Sequence, residues 1–469
     1  MTDVRPLSHG QEAQWFLHRL VPGATAYLTG VAVRIRDAVD VASFGRAVDL
    51  LAVRHEMLRS TFTTDGGRPV RLVRAASRLR LEHHALGAVG EEELRSRVAG
   101  ALAAPYRLDE NGAFRIVLWT RPDGDAVLLV GGHHLATDAA SDAVLLRDLL
   151  RLYASCVTGT DARLPVLRGG FDEEVAKERA LLASPRGAEL GRYWQRICHG
   201  SAAAELPTDL PRPAMPSLSG ATCRVAVPAA TAARLREVAR AAGVTPFALL
   251  LGAFQGLLYR STRQRDFLVG CPVTTRMSSN SLHLVGNFIN TIVLRAEIAP
   301  STSFHDLAVA VAEQVRTGVD AIRYPFSLVA RDLGRRAPAA GRARAYAISF
   351  NMLSTAHLEP RLRPVFETGR PDTTTDYAGL ALRPYPLPQQ EGQLDLGVDV
   401  VQGADTLTFD FRYDGALFER ETVERLAQHY VRAVEIATTE PATQVARAPL
   451  WAAAPVVPAT PAAPQTTDI

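Results

Sequence analysis

The sequence predicts an α+β fold built in two lobes, and three observations carry that reading. Apolar residues recur at helical spacing in some segments and alternate at strand spacing in others, through both halves of the chain. The 469 residues are more than one ordinary hydrophobic core organises. Near the middle, Leu206 to Gly220 (LPTDLPRPAMPSLSG) is too rich in proline for regular helix or central strand. These features predict a first lobe over residues 1–170, a connector over 171–220 and a second lobe over 221–450. Residues 451–469, rich in Pro, Ala and Thr, read as a disordered tail.

In the first lobe, Pro6 to Leu20 opens with the capping pair Ser8 and Gln11 and predicts a helix with Trp15, Phe16 and Leu20 on its apolar face. Ala26 to Arg36 alternates as a strand, and Val41 to His55 is an amphipathic helix. Arg54 to Phe62 (RHEMLRSTF) reads as a helix end and a strand start, with Arg59 in a surface ion pair with Glu56. Arg68 to Leu81 predicts paired strands and Glu91 to Leu102 a helix. Phe114 to Arg121 and Asp125 to His133 form a hairpin turned at Pro122 to Gly124. Asp142 to Tyr153 carries Val144, Leu145, Leu149 and Leu152 on one helical face, with Asp138 or Ser141 as N-cap.

Phe171 to Ile197 is charged and helical. Ala229 to Ala242 and Thr245 to Tyr259 are helices, the second capped by Thr245 with Pro246 at its first position. Asp266 to Pro272 is a strand, Thr274 to Arg295 a loop running into a strand, and Phe304 to Ala321 a helix. Arg344 to Met352 reads as a strand, Leu394 to Val401 and Thr406 to Tyr413 as a hairpin across Gly-Ala-Asp, and Glu419 to Ile436 as the closing helix.

Composition removes several classes of function. The chain is 47% hydrophobic and 22% charged, with a net charge of +3. It has no basic cluster interleaved with aromatics, so no nucleic-acid partner is expected. It has no run of 18 apolar residues and a polar start (MTDVRPLSHGQ), so neither a membrane span nor a signal peptide is expected, and the location predicted is cytoplasmic. Cys156, Cys198, Cys223 and Cys271 lie far apart and read as reduced structural thiols rather than disulfides or metal ligands.

The chemistry concentrates in Ala126 to Asp142 (AVLLVGGHHLATDAASD): a buried strand, a glycine pair, His133 and His134, and Asp138 before a helix. A strand end on a rigid scaffold is where a base can be presented to a substrate, and two glycines let another group approach closely. The chain holds its own control in His83-His84, which has no acid four residues on and no following amphipathic helix, and reads as structural.

Around that motif the chain resembles the condensation domains of nonribosomal peptide synthetases, within the chloramphenicol-acetyltransferase-like superfamily. PLSHGQEAQWFL, RHEMLRSTF, GGHHLATDAASD, LPTDLPRPAMPSLSGA, VGNFINTIVLR, YPFSLVARDL and YDGALFERETVERL are similar to that family's successive signatures, in its order, over about residues 5–440. The resemblance implies a pseudodimer of two acetyltransferase-like lobes meeting in a V, with an active-site tunnel between them. It implies donor and acceptor carrier proteins as partners, with the substrates on their phosphopantetheine arms. It implies no cofactor bound by the chain itself and no metal, and a monomer is expected.

The implied reaction is transfer of an acyl or peptidyl group from a carrier thioester to an acceptor amine. It needs help with proton removal and stabilisation of a tetrahedral oxyanion. By resemblance His134 is the catalytic residue, as base or as positioner of the nucleophile; His133 orients the loop; and Asp138 pairs with Arg276, an arginine of the other lobe. Asn351 and Asn290 are candidates for the tunnel wall. Ala139 stands where the family carries glycine, and its backbone N–H is the oxyanion candidate provided its φ is negative; Ala140 replaces the usual tryptophan. No GxSxG segment argues for a serine acyl-enzyme. The alternatives are the same fold acylating a hydroxyl, or serving as a non-catalytic docking module for a carrier or partner. Epimerisation ranks below these, because its second-lobe signature differs from NFINT.

Overall fold

A computed structural model describes residues 3–215, 217–336, 345–355, 358–367, 372–403 and 407–451. The expected tail lies outside these residues except for Trp451, as do Arg344 and positions 404–406 of the expected last turn.

The chain opens with β1 (Asp3–Pro6), α1 (His9–Leu20), β2 (Leu28–Ile35), α2 (Val41–Arg54), β3 (Ser60–Asp65), β4 (Arg68–Val73), β5 (Leu81–Ala85), α3 (Glu91–Ala103), β6 (Phe114–Thr120), β7 (Ala126–His133), α4 (Ala139–Thr158) and α5 (Phe171–Leu182). It continues through α6 (Pro185–Cys198), β8 (Ala202–Ala203), β9 (Gly220–Val227), α7 (Ala229–Ala241), α8 (Pro246–Thr262), β10 (Asp266–Thr274), β11 (Ile289–Glu297), α9 (Phe304–Asp320), α10 (Phe326–Arg336) and β12 (Ile348–Ser354). Then come α11 (Arg363–Phe366), β13 (Thr375–Tyr377), β14 (Leu380–Pro384), β15 (Leu396–Gln402), β16 (Leu407–Asp414) and α12 (Arg420–Thr439). Both halves therefore mix a sheet with helices, as the periodicities require. No single described helix is long and apolar enough to cross a membrane.

These elements fall into two compact units, and the division does not follow the chain linearly. The first unit is Met1–Arg186 with Thr274–Ile289 and Thr355–Gln390; the second is Gly187–Val273, Asn290–Ser354 and the residues from Glu391 on. This differs from the partition expected at 171–220: α5 belongs to the first unit, and two segments from far along the chain return to it. The reason is burial. Leu284, Phe288, Val365, Leu380, Leu382 and Tyr385 are core residues of the first unit, and hydrophobic periodicity shows that a residue is buried but not against what.

In the first unit a six-stranded sheet runs β13-β14-β2-β7-β6-β5, and β1-β4-β3 form a small second sheet. β6 and β7 are the antiparallel hairpin expected, from Phe114↔Gly132 to Thr120↔Ala126. The capping box at Ser8 and Gln11 forms with both bonds in place. The apolar face of α1 is narrower than expected: Gln11 and Trp15 are buried, whereas Phe16 is 67% and Leu20 51% exposed. Phe16 and Leu20 are one turn apart and share a stripe next to the buried one, which Gln11 and Trp15 define. Glu56 pairs with the buried Arg71 at 3.1 Å, not with Arg59, whose guanidinium donates to the Arg74 carbonyl at 2.9 Å.

In the second unit the sheet order is β11-β10-β12-β15-β16-β9, with β8 beside β10. Its centre is α8, buried from Ala248 to Tyr259. Phe254, Phe350, Phe409 and Phe411 surround Tyr430 of α12, with centroids 4.7 to 6.3 Å from its ring. The Tyr430 hydroxyl donates to the Leu250 carbonyl at 2.9 Å, which satisfies the one polar atom of that cluster.

Candidate active site

The site starts from β7, all eight residues of which are buried. It pairs antiparallel with β2 from Leu28↔His133 to Ile35↔Ala126. Its glycines answer to close approach: a Cβ on Gly131 would stand 2.9 Å from the Tyr106 hydroxyl, and one on Gly132 2.7 Å from Thr137 Cγ2. The strand ends at His133. Five residues on, Asp138 caps α4, its carboxylate accepting the Ser141 N–H at 2.7 Å. Residues 134–137 are thus a short loop held between a central strand and a buried helix.

His134 is half-buried in that loop. Its backbone N–H donates to the Tyr27 carbonyl at 2.8 Å, and its Nδ1 lies 2.7 Å from the Thr137 carbonyl oxygen. A carbonyl only accepts, so Nδ1 carries the proton and the basic lone pair of the neutral ring is on Nε2. His133 has a different environment. It is buried, its Nδ1 accepts the Leu135 N–H at 3.1 Å, and its ring stands edge-on to His18 with centroids 5.1 Å apart. Burial, reinforced by the imidazoles of His18 and His134, pushes its pKa down to about 3, so it is neutral and packs.

Asp138 and Arg276 meet inside the first unit, and both are buried. Arg276 Nη2 donates to Asp138 Oδ1 at 2.9 Å and to Ser141 Oγ at 2.6 Å. Its Nη1 donates to the carbonyls of Ser281 and Leu284, and the guanidinium lies 4.0 Å from the centroid of the Phe288 ring. Asp138 Oδ2 accepts the Phe288 N–H at 3.0 Å. Burial pushes the Asp138 carboxyl up, but Arg276 and the N–H groups of Ser141 and Phe288 outweigh it and hold the pKa below the ordinary value. The arginine comes from the second half of the sequence, as expected, but its segment, Thr274–Ile289, is part of the first unit's body rather than of another lobe.

Ala139 is the first, exposed residue of α4 and is not among the described non-glycine residues with positive φ. Alanine therefore holds the glycine position without strain. Its N–H lies in the first turn, where a helix has no internal acceptor. Asn290 and Asn351 belong to the second unit. Asn290 donates to the Tyr324 carbonyl at 2.8 Å and accepts the Phe326 N–H at 2.9 Å, which ties down the start of α10. Asn351 of β12 donates to Asp399 at 3.0 Å. The control pair lies on β5 at the sheet edge, with His83 bonded to Thr120 and His84 to Glu82 on the exposed surface. The thiols of Cys198 and Cys223 are pushed up to about 11, by burial first, and no disulfide forms among the described residues.

Sequence reasoning passed over the residues that join these parts. From sequence Ser141 reads only as a cap, yet its hydroxyl donates to the Gly286 carbonyl at 2.8 Å and accepts the Gly286 N–H at 3.1 Å. Gly286 is required there, because a Cβ would stand 2.2 Å from the Phe171 ring. Thr137 and Asp142 form a second network, with the Thr137 hydroxyl donating to Asp142 Oδ1 at 2.7 Å. The one signal in sequence was the polar spacing Thr137, Asp138, Ser141, Asp142 at the foot of an otherwise apolar helix. Among the described residues, no three His, Cys, Asp or Glu side chains are placed to hold a metal ion.

A family model for the condensation domain matches residues 1–454. The chain is 31% identical over 453 residues to phosphinothricin tripeptide synthetase PhsC of Streptomyces viridochromogenes, covering 95% of this chain and 40% of that protein. It is 27% identical over 450 residues to tyrocidine synthase 3 of Brevibacillus parabrevis, covering 94% and 6%. The chain thus spans less than half the length of these curated relatives. Among solved structures, a four-domain nonribosomal peptide synthetase bound to AMP and glycine matches with a TM-score of 0.82 at 20% identity, over 95% of this chain and 34% of that one. The first condensation domain of the calcium-dependent antibiotic synthetase, in complex with a substrate analogue, matches with a TM-score of 0.76 at 23% identity, over 95% and 98%.

Proposed function

We propose, from the premise that this chain belongs to the condensation-domain family, that it forms an amide bond by acyl transfer from a carrier-bound thioester to an acceptor amine. The donor is an acyl or peptidyl group on the phosphopantetheine arm of one carrier protein, and the acceptor amine is carried by another. The location proposed is the cytoplasm, where such carriers are made. The observation that supports the reading best is the state of His134: Nδ1 is committed to the Thr137 carbonyl, which puts the accepting lone pair on Nε2.

The amine nitrogen attacks the thioester carbonyl carbon, and a C–N bond forms as the carbonyl becomes an oxyanion. His134 Nε2 takes the proton that the nitrogen must lose, or orients the nitrogen so that it loses it. The Ala139 N–H, in the first turn of α4, is the backbone donor we assign to the oxyanion. The C–S bond then breaks, and the phosphopantetheine sulfur leaves as a thiol, taking up the proton that the nitrogen lost, from His134 where the imidazole accepted it and from solvent where it only oriented the amine. Asp138, Arg276 and Ser141 do not react; their bonds hold the loop that carries His134.

The test is a single-turnover assay of acyl-loaded carrier protein with amine and alcohol acceptors, free and carrier-bound, followed by mass spectrometry. Wild type forms amide, and His134→Ala is slower by about 10²–10⁴-fold, the range of a general-base contribution. Ester instead of amide would assign the hydroxyl-acylating alternative. Equal background rates for both proteins, with carrier binding intact, would make the chain a docking module.

A further inference from the structure

We propose that Asp142 is a positioning residue for His134, acting through the hydroxyl of Thr137. The inference rests on the reading of His134 as the reactive imidazole, but not on the identity of donor or acceptor.

Asp142 is buried on the first turn of α4, four residues after Asp138. The two carboxylates are held in opposite ways. Asp138 accepts from a guanidinium and two backbone N–H groups. Asp142 accepts from two neutral hydroxyls: Thr137 Oγ1 at 2.7 Å on Oδ1 and Thr29 Oγ1 at 3.0 Å on Oδ2. A buried carboxyl faced by hydroxyls and no cation costs stability when it ionises, and an apolar residue would fill the position at less expense.

The gain lies in what Thr137 does with its other end. Its side chain bonds Asp142, and its carbonyl takes the Nδ1–H of His134. Its methyl packs where Gly132 has no Cβ, since one would stand 2.7 Å from it. Holding the hydroxyl and the methyl fixes the Thr137 side chain and the Cα from which its carbonyl extends, and so narrows the directions open to the carbonyl that selects the His134 tautomer. Thr29 lies opposite Gly132 on β2, so Asp142 refers the loop to the sheet as well as to the helix. The carboxyl also titrates near neutrality. Burial pushes it up to about 7; the bonds from Thr137 and Thr29 pull it down, the Asp138 charge pushes it up and Arg276 pulls it down. The buried phenol of Tyr106, which is neutral at that pH, also faces it.

The experiment reads the ring itself. The full chain is labelled with ¹⁵N-histidine, and the His134 signals are assigned by their loss in His134→Ala. The tautomer is read from the Nδ1 and Nε2 shifts in wild type, Asp142→Asn, Thr137→Val and Thr137→Ser, each checked for folding by circular dichroism. Wild type and Thr137→Ser are expected to hold the Nδ1–H tautomer, while Asp142→Asn and Thr137→Val show a mixture. In the single-turnover assay with an acetyl-loaded carrier protein and a free amine, Asp142→Asn and Thr137→Val slow about tenfold. A folded Asp142→Asn with the wild-type tautomer overturns the proposal; if that variant does not fold, an unchanged tautomer in Thr137→Val does so. Loss of the tautomer in a chain whose wild type transfers no acyl group sustains the positioning role and sinks the acyl-transfer reading instead.

Discussion

Asp138 and Asp142 are four residues apart on one helix turn, and their surroundings drive them in opposite directions. Asp138 has a lowered pKa in the fold, so its stabilisation is present above the ordinary carboxylate range and is lost as pH falls through the lowered value. Asp142 has a raised one, near 7. Its stabilising contribution is present below the unfolded carboxylate pKa, and it is lost as pH rises from about 4 to about 7. Urea unfolding across that window should therefore show Asp142→Asn gaining on wild type as pH rises; a flat difference would mean that Asp142 is ionised throughout. Replacing Arg276 by methionine leaves Asp138 buried without its cation. We expect a loss of about 3–5 kcal/mol by urea denaturation at neutral pH, and a loss under 1 kcal/mol would show that water reaches the pair.

At the scale of elements, the site depends on how two elements end. β7 stops at His133 and α4 starts at Ala139, and Asp138 belongs to the junction as a cap. The segment before β11 locks that junction from outside through Gly286 and Phe288. Gly286→Ala would put a methyl group into the Phe171 ring. The expected result is a fall in thermal stability with Ser141 displaced, and Phe171→Leu in the same chain should recover part of it; no recovery would place the strain in the backbone. α1 teaches the converse lesson. Its capping box is legible in sequence because both partners are local, but the apolar spacing also places Phe16 and Leu20 on a buried face that extends only to Gln11 and Trp15.

For the whole molecule, the first unit is completed by chain that follows much later. β14 pairs with β2 through Leu382↔Ile35 to Pro384↔Val33, and Arg151 of α4 bonds both Tyr377 and Glu359 at 2.8 Å. Residues 1–186 alone would leave the β2 edge unpaired and the core faces under Val365, Leu380 and Leu382 bare. A fragment of residues 1–186 is expected to aggregate or to show no cooperative urea transition by circular dichroism. A sharp transition would mean that the returning segments decorate the unit rather than complete it.

The sequence by itself determined most of the elements, because each rests on contacts a few residues apart: the Ser8 box, the Pro122–Gly124 hairpin, the Thr245 cap and the run from β7 into α4. It also singled out HHxxxD as the candidate site, since that motif is contiguous, and Arg276 as the partner of Asp138 once the family resemblance was in hand. What only the tertiary structure decided is which distant residues finish the job. That Thr137 carries both the Asp142 bond and the His134 clamp, that Ser141 bonds Gly286, and that residues 274–289 and 355–390 belong to the first unit all depend on side-chain direction and long-range packing. Such contacts leave no period in the chain, because the partner of a buried polar group is set by the fold that buries it.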